Sequence, residues 1–555
     1  MTEFNSASLT QTYREFDARC ARQSYRLHNS REYEMSLFVP TEEAKKDEEE
    51  VLKGLLDEAK NLPAPDPVFA IIKSHMIDFI EGQGSALQSC FEHPSGFIRS
   101  LSHLVKYMGG KDSREPGERS KIVVNRLSQI DNLWSGVRTL LPDTPLAKLK
   151  DVKSACDLVV KTATEAKREL ASQYKGLSEQ DLDAIARSYD MLSAKASDWS
   201  KETGNLIEQR PKESLPAEKA VLDTDPDRYR IILDKELGVS LDELLSWYQD
   251  EVEKTRAEMI EAAAKVCPPG MGPVKTPLDA VNVMNTCAGP ADSPEEMFER
   301  LRGYLKRAQA AAREWVRLPE ESCVVIPVPD EYRLTYPWGG YGGGCPRRRP
   351  LVGEVFLNDT NYKNISDGWI KINAVHECYP GHHVQWVRGT LDPIPETLKL
   401  GAKRVPLQEG MCHRTERLME YIYPEDPFYP LAVAFRRHHT SLRIMADLWL
   451  HYFHKPEEEA IKLYMDELGF DRITALGQVK SQETQNRIGY FTCYYYGMKK
   501  LEDLEKKYGY DKKTFTEYLF SVLNTSIQNF EAFLNLSEED KNRFLTGFPS
   551  MLQFD

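Results

Sequence analysis

The stretch "INAVHECYPGHHVQW", residues 372–386, decides how this chain is read. His376 and Glu377 stand side by side, as on a zinc-binding helix, where a second His four residues after the first reaches the same metal from the next turn. That position is Pro380, followed by Gly381, His382 and His383. Pro brings no N–H and Gly relaxes the backbone, so the pair interrupts a helical ladder. A widened turn or kink at this point shifts the frame by two residues and brings His382 to the place of the missing ligand. His383, seven residues after His376, returns to the same face but ~10 Å along the axis. It is the rival ligand, or a donor on the substrate side.

Adjacent histidines also occur as satisfied core or surface groups, so a second element is needed. It is "VPLQEGMCHRTERLMEYIY", residues 405–423, where Glu409 opens a helical run that carries Glu416 on the same face two turns later. A zinc site of two His and one carboxylate draws its third ligand from such a downstream helix and leaves a fourth position for water. Glu409 is the candidate ligand, and Glu416 the candidate partner that orients a ligating histidine. The set His376, His382 and Glu409 predicts one Zn2+ per chain. Cys378 and Cys412 fall inside these motifs, but neither has a partner at metal-ligand spacing, and they are not expected to bind the metal.

The rest of the chain sets the context. Its 555 residues are 41% hydrophobic and 28% charged, as in a folded globular protein with a sizeable core. Eighty-six acidic against 72 basic residues leave a formal charge of −14, which repels phosphate and gives no reason to bind nucleic acid or an anionic membrane. No run approaches the ~18 to 20 apolar residues of a membrane span, and the first residues lack the apolar core of a secretory signal. A cytoplasmic location is expected. Ten scattered cysteines without a C-x-x-C pair read as reduced and mostly buried.

Helix dominates. Residues 42–62 carry apolar residues at helical spacing; Ser240 with Glu243, and Ser293 with Pro294 and Glu296, predict capped starts for two further helices. Strand signals are few. "SCVVIPVP" (322–329) and "VGEVFLN" (352–358) bracket a glycine-rich loop, "YPWGGYGGGCPRRRP".

These segments resemble the domain-of-unknown-function 885 family, whose members look like zinc metallopeptidases of the zincin type. The family frame H-E-x-x-P-G-H-H-x-Q is met by His376, Glu377, Pro380, Gly381, His382, His383 and Gln385. E-G-W-A with an acidic residue at the seventh step appears as Glu409, Gly410, Met411, Cys412 and Glu416, with Met411 in place of the Trp. R-x-x-x-D-x-x-x-H appears as Arg443, Asp447 and His451, and G-x-x-x-x-N as Gly353 to Asn358. The late frame P-G-Q-A-x-x-Y-x-x-G is reduced to Gly489, Tyr494 and Gly497, with the Pro and the Gln gone. The resemblance covers roughly residues 230 to 505. It implies a mainly α, zincin-like metallohydrolase with a small β-sheet beside the active-site helix and a deep cleft. Residues 1–230 would form an N-terminal helical lobe walling that cleft, and residues 231–555 the catalytic region.

On this reading the metal acidifies a bound water and Glu377 acts as general base. Tyr494, His383 and His451 are the candidate oxyanion donors, Tyr494 first because it keeps its place in the eroded late frame. Arg443, Asp447 and His451 recur at i, i+4 and i+8, on one helix face. They either orient the site or form an ordinary salt bridge. Arg349, in the Arg347–Arg349 triplet, and Asn358 are candidate substrate contacts. The expected function is hydrolysis of an amide bond in a small peptide. The altered pocket motifs keep open a specialised metabolic enzyme acting on a peptide-like or amide-bearing small molecule. A non-haem iron enzyme uses a similar ligand set, but has no call for Glu377. A metal-free scaffold does not account for all four of His376, Glu377, His382 and Glu409.

Overall fold

Helix starts follow the side chains that can satisfy their first N–H groups. Thr41 Oγ1 accepts from the Ala44 amide at 3.0 Å and opens Glu42–Asn61. Ser240 Oγ accepts from Glu243 N at 3.2 Å and opens Leu241–Val266. The reciprocal bond from the Glu243 carboxylate back to the cap does not form, because that carboxylate accepts instead from Tyr496 at 3.1 Å and Lys500 at 2.7 Å. Ser293 caps Pro294–Ala312 in the same way, while Glu296 Oε2 accepts from the amide of Asp292. The reciprocal box appears at Thr276 and Asp279, which open Pro277–Cys287.

The computed structural model describes residues 6–210, 226–333, 336–483 and 488–552. Among these residues it is mainly helical, with one small sheet. Strand β1 (Glu321–Pro327), β2 (Gly339–Gly342) and β3 (Leu351–Leu357) lie in the order β1-β3-β2. β1 and β3 are parallel, from Glu321 opposite Leu351 to Pro327 opposite Leu357; β2 runs antiparallel to β3. β1 and β3 match the two expected strands to within a residue or two. β2 lies inside the glycine-rich loop, where Gly339, Gly340 and Gly342 carry no side-chain pattern to read.

The main apolar core joins distant parts of the chain. Phe16 and Phe69 from the N-terminal helices, Leu357 of β3, Val375 and Cys378 beside His376, and Phe530 and Phe544 near the C-terminus belong to one buried cluster. Helices between residues 95 and 209 build a second core, with Trp134 stacked on Trp199 at 4.8 Å. The candidate ligands ride on the first of these cores.

Candidate metal centre

The Asp367–Asn373 helix, capped by Ser366, runs straight into a wider π-type turn, Ala374–Cys378, which carries His376 and Glu377. The turn closes with Tyr379 N donating to Ala374 O at 3.0 Å. The chain then leaves the helix, and a new one starts at His382 and runs to Leu391. The expected widening therefore lies at the histidine itself, ahead of Pro380, and the break follows it. Gly381 is required there, because a Cβ on it would lie 2.0 Å from His376 O and 2.3 Å from Val375 O. His376 ends one helical segment and His382 begins the next.

Glu409 comes from the Val405–Leu418 helix, which crosses the Thr492–Tyr508 helix backbone to backbone. A Cβ on Gly410 would lie 2.4 Å from the Gly497 carbonyl carbon, and one on Gly497 would lie 1.9 Å from Pro406 O. This crossing brings Glu409 against Tyr490, in the turn that leads into the second helix.

The three candidate ligands meet. His376 Nε2 stands 3.4 Å from Glu409 Oε2 and His382 Nε2 stands 3.3 Å from the same atom. Glu409 Oε2 is buried and has no hydrogen-bond partner among the described residues. A buried carboxylate oxygen left unpaired and faced by two imidazole nitrogens is the donor set of a divalent cation, so these residues fit the implied zinc. Burial opposes ionisation of Glu409, but His382 and His376 overcome it and hold the carboxyl well below its ordinary range.

Each ligand has a partner behind it. His376 Nδ1 lies 2.7 Å from Glu416 Oε1, and His413 Nδ1 lies 2.8 Å from Glu416 Oε2. Arg436 Nε donates to Glu416 Oε1 at 3.5 Å. Burial works against the Glu416 charge; His413, His376 and Arg436 together keep it ionised. His382 Nδ1 lies 3.0 Å from Gln385 Oε1. Tyr490 donates its hydroxyl to Glu409 Oε1, and burial with that carboxylate pushes its phenol far above the ordinary value. Glu377 is half-buried, and its charge acts on His376, Cys412 and Tyr494. The Tyr494 ring stacks on His376, with centroids 5.8 Å apart and planes 6° from parallel.

Other candidates lie elsewhere. His383 is fully buried, its Nε2 on Glu321 Oε2 and its Nδ1 2.9 Å from Tyr341 OH, so neither nitrogen is left for a metal or an oxyanion. Gly353 makes room for that ring, since a Cβ there would lie 2.4 Å from His383 Nδ1. Asn358 ties a loop: its amide donates to Arg333 O and Tyr336 O at 2.8 and 3.0 Å, and its carbonyl accepts from Thr360. Arg349 folds back onto Pro346 O and Arg348 O at the surface.

Arg443 does not pair with Asp447. Its guanidinium donates to Gln478 Oε1 and lies 5.2 Å over the Tyr494 ring. Asp447 instead accepts from Tyr229 at 2.7 Å and from Thr492, and keeps the expected helix-face pairing only with His451, whose Nε2 lies 3.9 Å from Asp447 Oδ1 and 3.2 Å from Gln482 O. Of the three, Arg443 alone reaches a site residue, through Tyr494.

Sequence reading missed Tyr490, His413, Arg436 and Glu321. It also set Cys412 aside, whose Sγ lies 3.5 Å from His382 Nδ1 and within 4.8 Å of ligand atoms of both His376 and His382. Register alone could have flagged Tyr490, which falls where the late family frame has Gln. Neither of two cavities elsewhere, one walled by Trp338, Trp369 and Phe435 and one by Trp315, Arg414 and Glu505, includes the ligands.

No curated protein matches the chain. Its fold is shared by solved structures, two among them with TM-scores above 0.7. One, from Colwellia psychrerythraea and provisionally described as a lipoprotein, superposes with a TM-score of 0.73 at 15% identity, covering 98% of each chain. The other, from Shewanella oneidensis and provisionally described as a lipoprotein of unknown function, gives 0.72 at 14% identity, covering 95% of this chain and 99% of that one. The family model described as bacterial protein of unknown function matches residues 39–518, most of the chain. The protein therefore belongs to this family, DUF885.

Proposed function

We propose that the protein is a zinc-dependent hydrolase that cleaves an amide bond in a small peptide. The observation that carries this reading is Glu409 Oε2, buried, unpaired and faced by His376 Nε2 and His382 Nε2. Zinc bound there supplies a Lewis acid for the scissile carbonyl and acidifies a water.

The chain's own groups supply the rest. An imidazole offers Nε2 to a cation only when its proton sits on Nδ1. Glu416 Oε1 and Gln385 Oε1 are the acceptors that hold the protons on Nδ1 of His376 and His382. Glu377 takes a proton from the attacking water onto a carboxylate oxygen and returns it to the leaving amine. Tyr494, whose phenol burial keeps protonated, donates to the developing oxyanion. Its ring is held between His376 and the guanidinium groups of Arg436 and Arg443.

Access favours a slim substrate, because His376 and Glu409 are 3% and 5% exposed and His382 is 18% exposed. The same narrowness suits the second reading, an amide-bearing metabolite, and the changed motif residues Met411 and Tyr490 support that alternative. A deep cleft walled by the N-terminal helices belongs to the same proposal. So does a cytoplasmic location, against which the description of both structural neighbours as lipoproteins points outside the cytoplasm; cell fractionation decides between them.

Metal analysis of purified protein is expected to give about one zinc per chain, and predominant iron would sink the hydrolase reading. Glu377→Gln is expected to keep the metal and lose about 100-fold or more in turnover. Full activity in that variant would remove the general base. Peptide and metabolite mixtures read by mass spectrometry then identify the substrate class.

A further inference from the structure

We infer that Tyr490 is a positioning residue that restricts Glu409 to a single metal-facing oxygen, keeping a coordination position open for substrate. This rests on the metal reading above. A carboxylate can meet a cation through one oxygen or both, and a catalytic zinc site needs an open position. Here the two oxygens of Glu409 are unlike. Oε1 accepts the Tyr490 hydroxyl, whereas Oε2 is unpaired and faces the two histidines. A hydrogen bond to Oε1 competes with two-oxygen binding for that atom's lone pairs, and it orients the carboxylate plane.

The Tyr490 ring is built to stay in place. It meets Phe491 edge-on at 5.4 Å and Tyr494 edge-on at 5.8 Å. The residue lies in the short turn before the Thr492–Tyr508 helix, whose Gly497 makes the close crossing at Gly410, one residue after Glu409. By register Tyr490 stands at the Gln of the late family frame, and Gln is also a hydrogen-bond donor. The departure therefore keeps a donor at this position.

Tyr490→Phe keeps the ring and removes the donor. Metal-free wild type and variant are titrated with zinc against a chromophoric chelator, and both are loaded with cobalt for visible spectroscopy. The variant is expected to bind zinc about 10- to 100-fold more weakly. Its cobalt band is expected to weaken severalfold, as the second carboxylate oxygen raises the coordination number. Weaker binding with an unaltered cobalt band, or no change in either, overturns the inference, because a loosened fold alone does not change the coordination number. Failure of the metal reading looks different: wild type itself takes up neither metal, or Glu409→Ala binds zinc as tightly as wild type.

Discussion

Glu416 shows how much one buried side chain decides. It is fully buried, and its two oxygens serve His376, His413 and Arg436 at once. Removing it leaves buried donors without an acceptor, and breaking such a buried network costs about 3 to 5 kcal/mol. Glu416→Ala is expected to lose stability on that scale in chemical denaturation. Glu416→Gln, which keeps the shape, is expected to fold and to bind zinc about 10- to 100-fold more weakly in a chelator competition. Cys412 makes the opposite case. Its Sγ touches His382 on the Nδ1 edge, whereas Glu409 Oε2 lies by Nε2. Cys412→Ser is therefore expected to leave zinc at one per chain, and a lost metal would make the thiol a ligand.

At the level of elements, the site depends on two helices approaching at a pair of glycines. A methyl at Gly410 would meet the Gly497 backbone at 2.4 to 2.6 Å, and neither helix has a flexible side chain there to give way. Gly410→Ala is expected to cost about 1 to 3 kcal/mol or more and to displace Glu409, weakening zinc binding at the same time. Gly303, in the exposed middle of Pro294–Ala312, has open space around it. Gly303→Ala is expected to stabilise the protein by about 0.5 to 1 kcal/mol with unchanged zinc affinity, because alanine loses less entropy in a helix. Thermal melts of the two variants, moving in opposite directions, test whether close approach rather than helix propensity explains Gly410.

Across the whole molecule, the first and last helices share a core, and His75 sits in that contact. It is buried on Pro67–Glu92, with Nδ1 3.0 Å from Thr525 Oγ1, and burial pulls it down to about 4. The unfolded chain binds a proton at this residue from about pH 6.5 downwards, while the folded chain does not until about pH 4. The contribution is therefore complete above about pH 6.5 and is lost as the pH falls towards 4, by at most about 3 kcal/mol. Stability measured against pH is expected to decline over that window, and His75→Gln is expected to flatten the decline. An identical slope in the variant would assign the acid loss to other groups.

The sequence by itself determined what is local. Caps at Ser240 and Ser293, the two apolar strands and the dominance of helix were readable because side-chain spacing and first-turn donors lie within a few residues of each other. The pairing of His376 with Glu409 was readable from ligand types and motif spacing. Only the tertiary structure decided which of the two adjacent histidines meets Glu409. His383 is withdrawn by Glu321 and Tyr341, partners 62 and 42 residues away, and no spacing within the motif encodes them. The same holds for Asn358, spent on its own loop, for Asp447, taken by Tyr229 rather than Arg443, and for Tyr490, brought to Glu409 by a helix crossing. A ligand is defined by the lone pair its neighbours leave free, and those neighbours are assembled only when the chain folds.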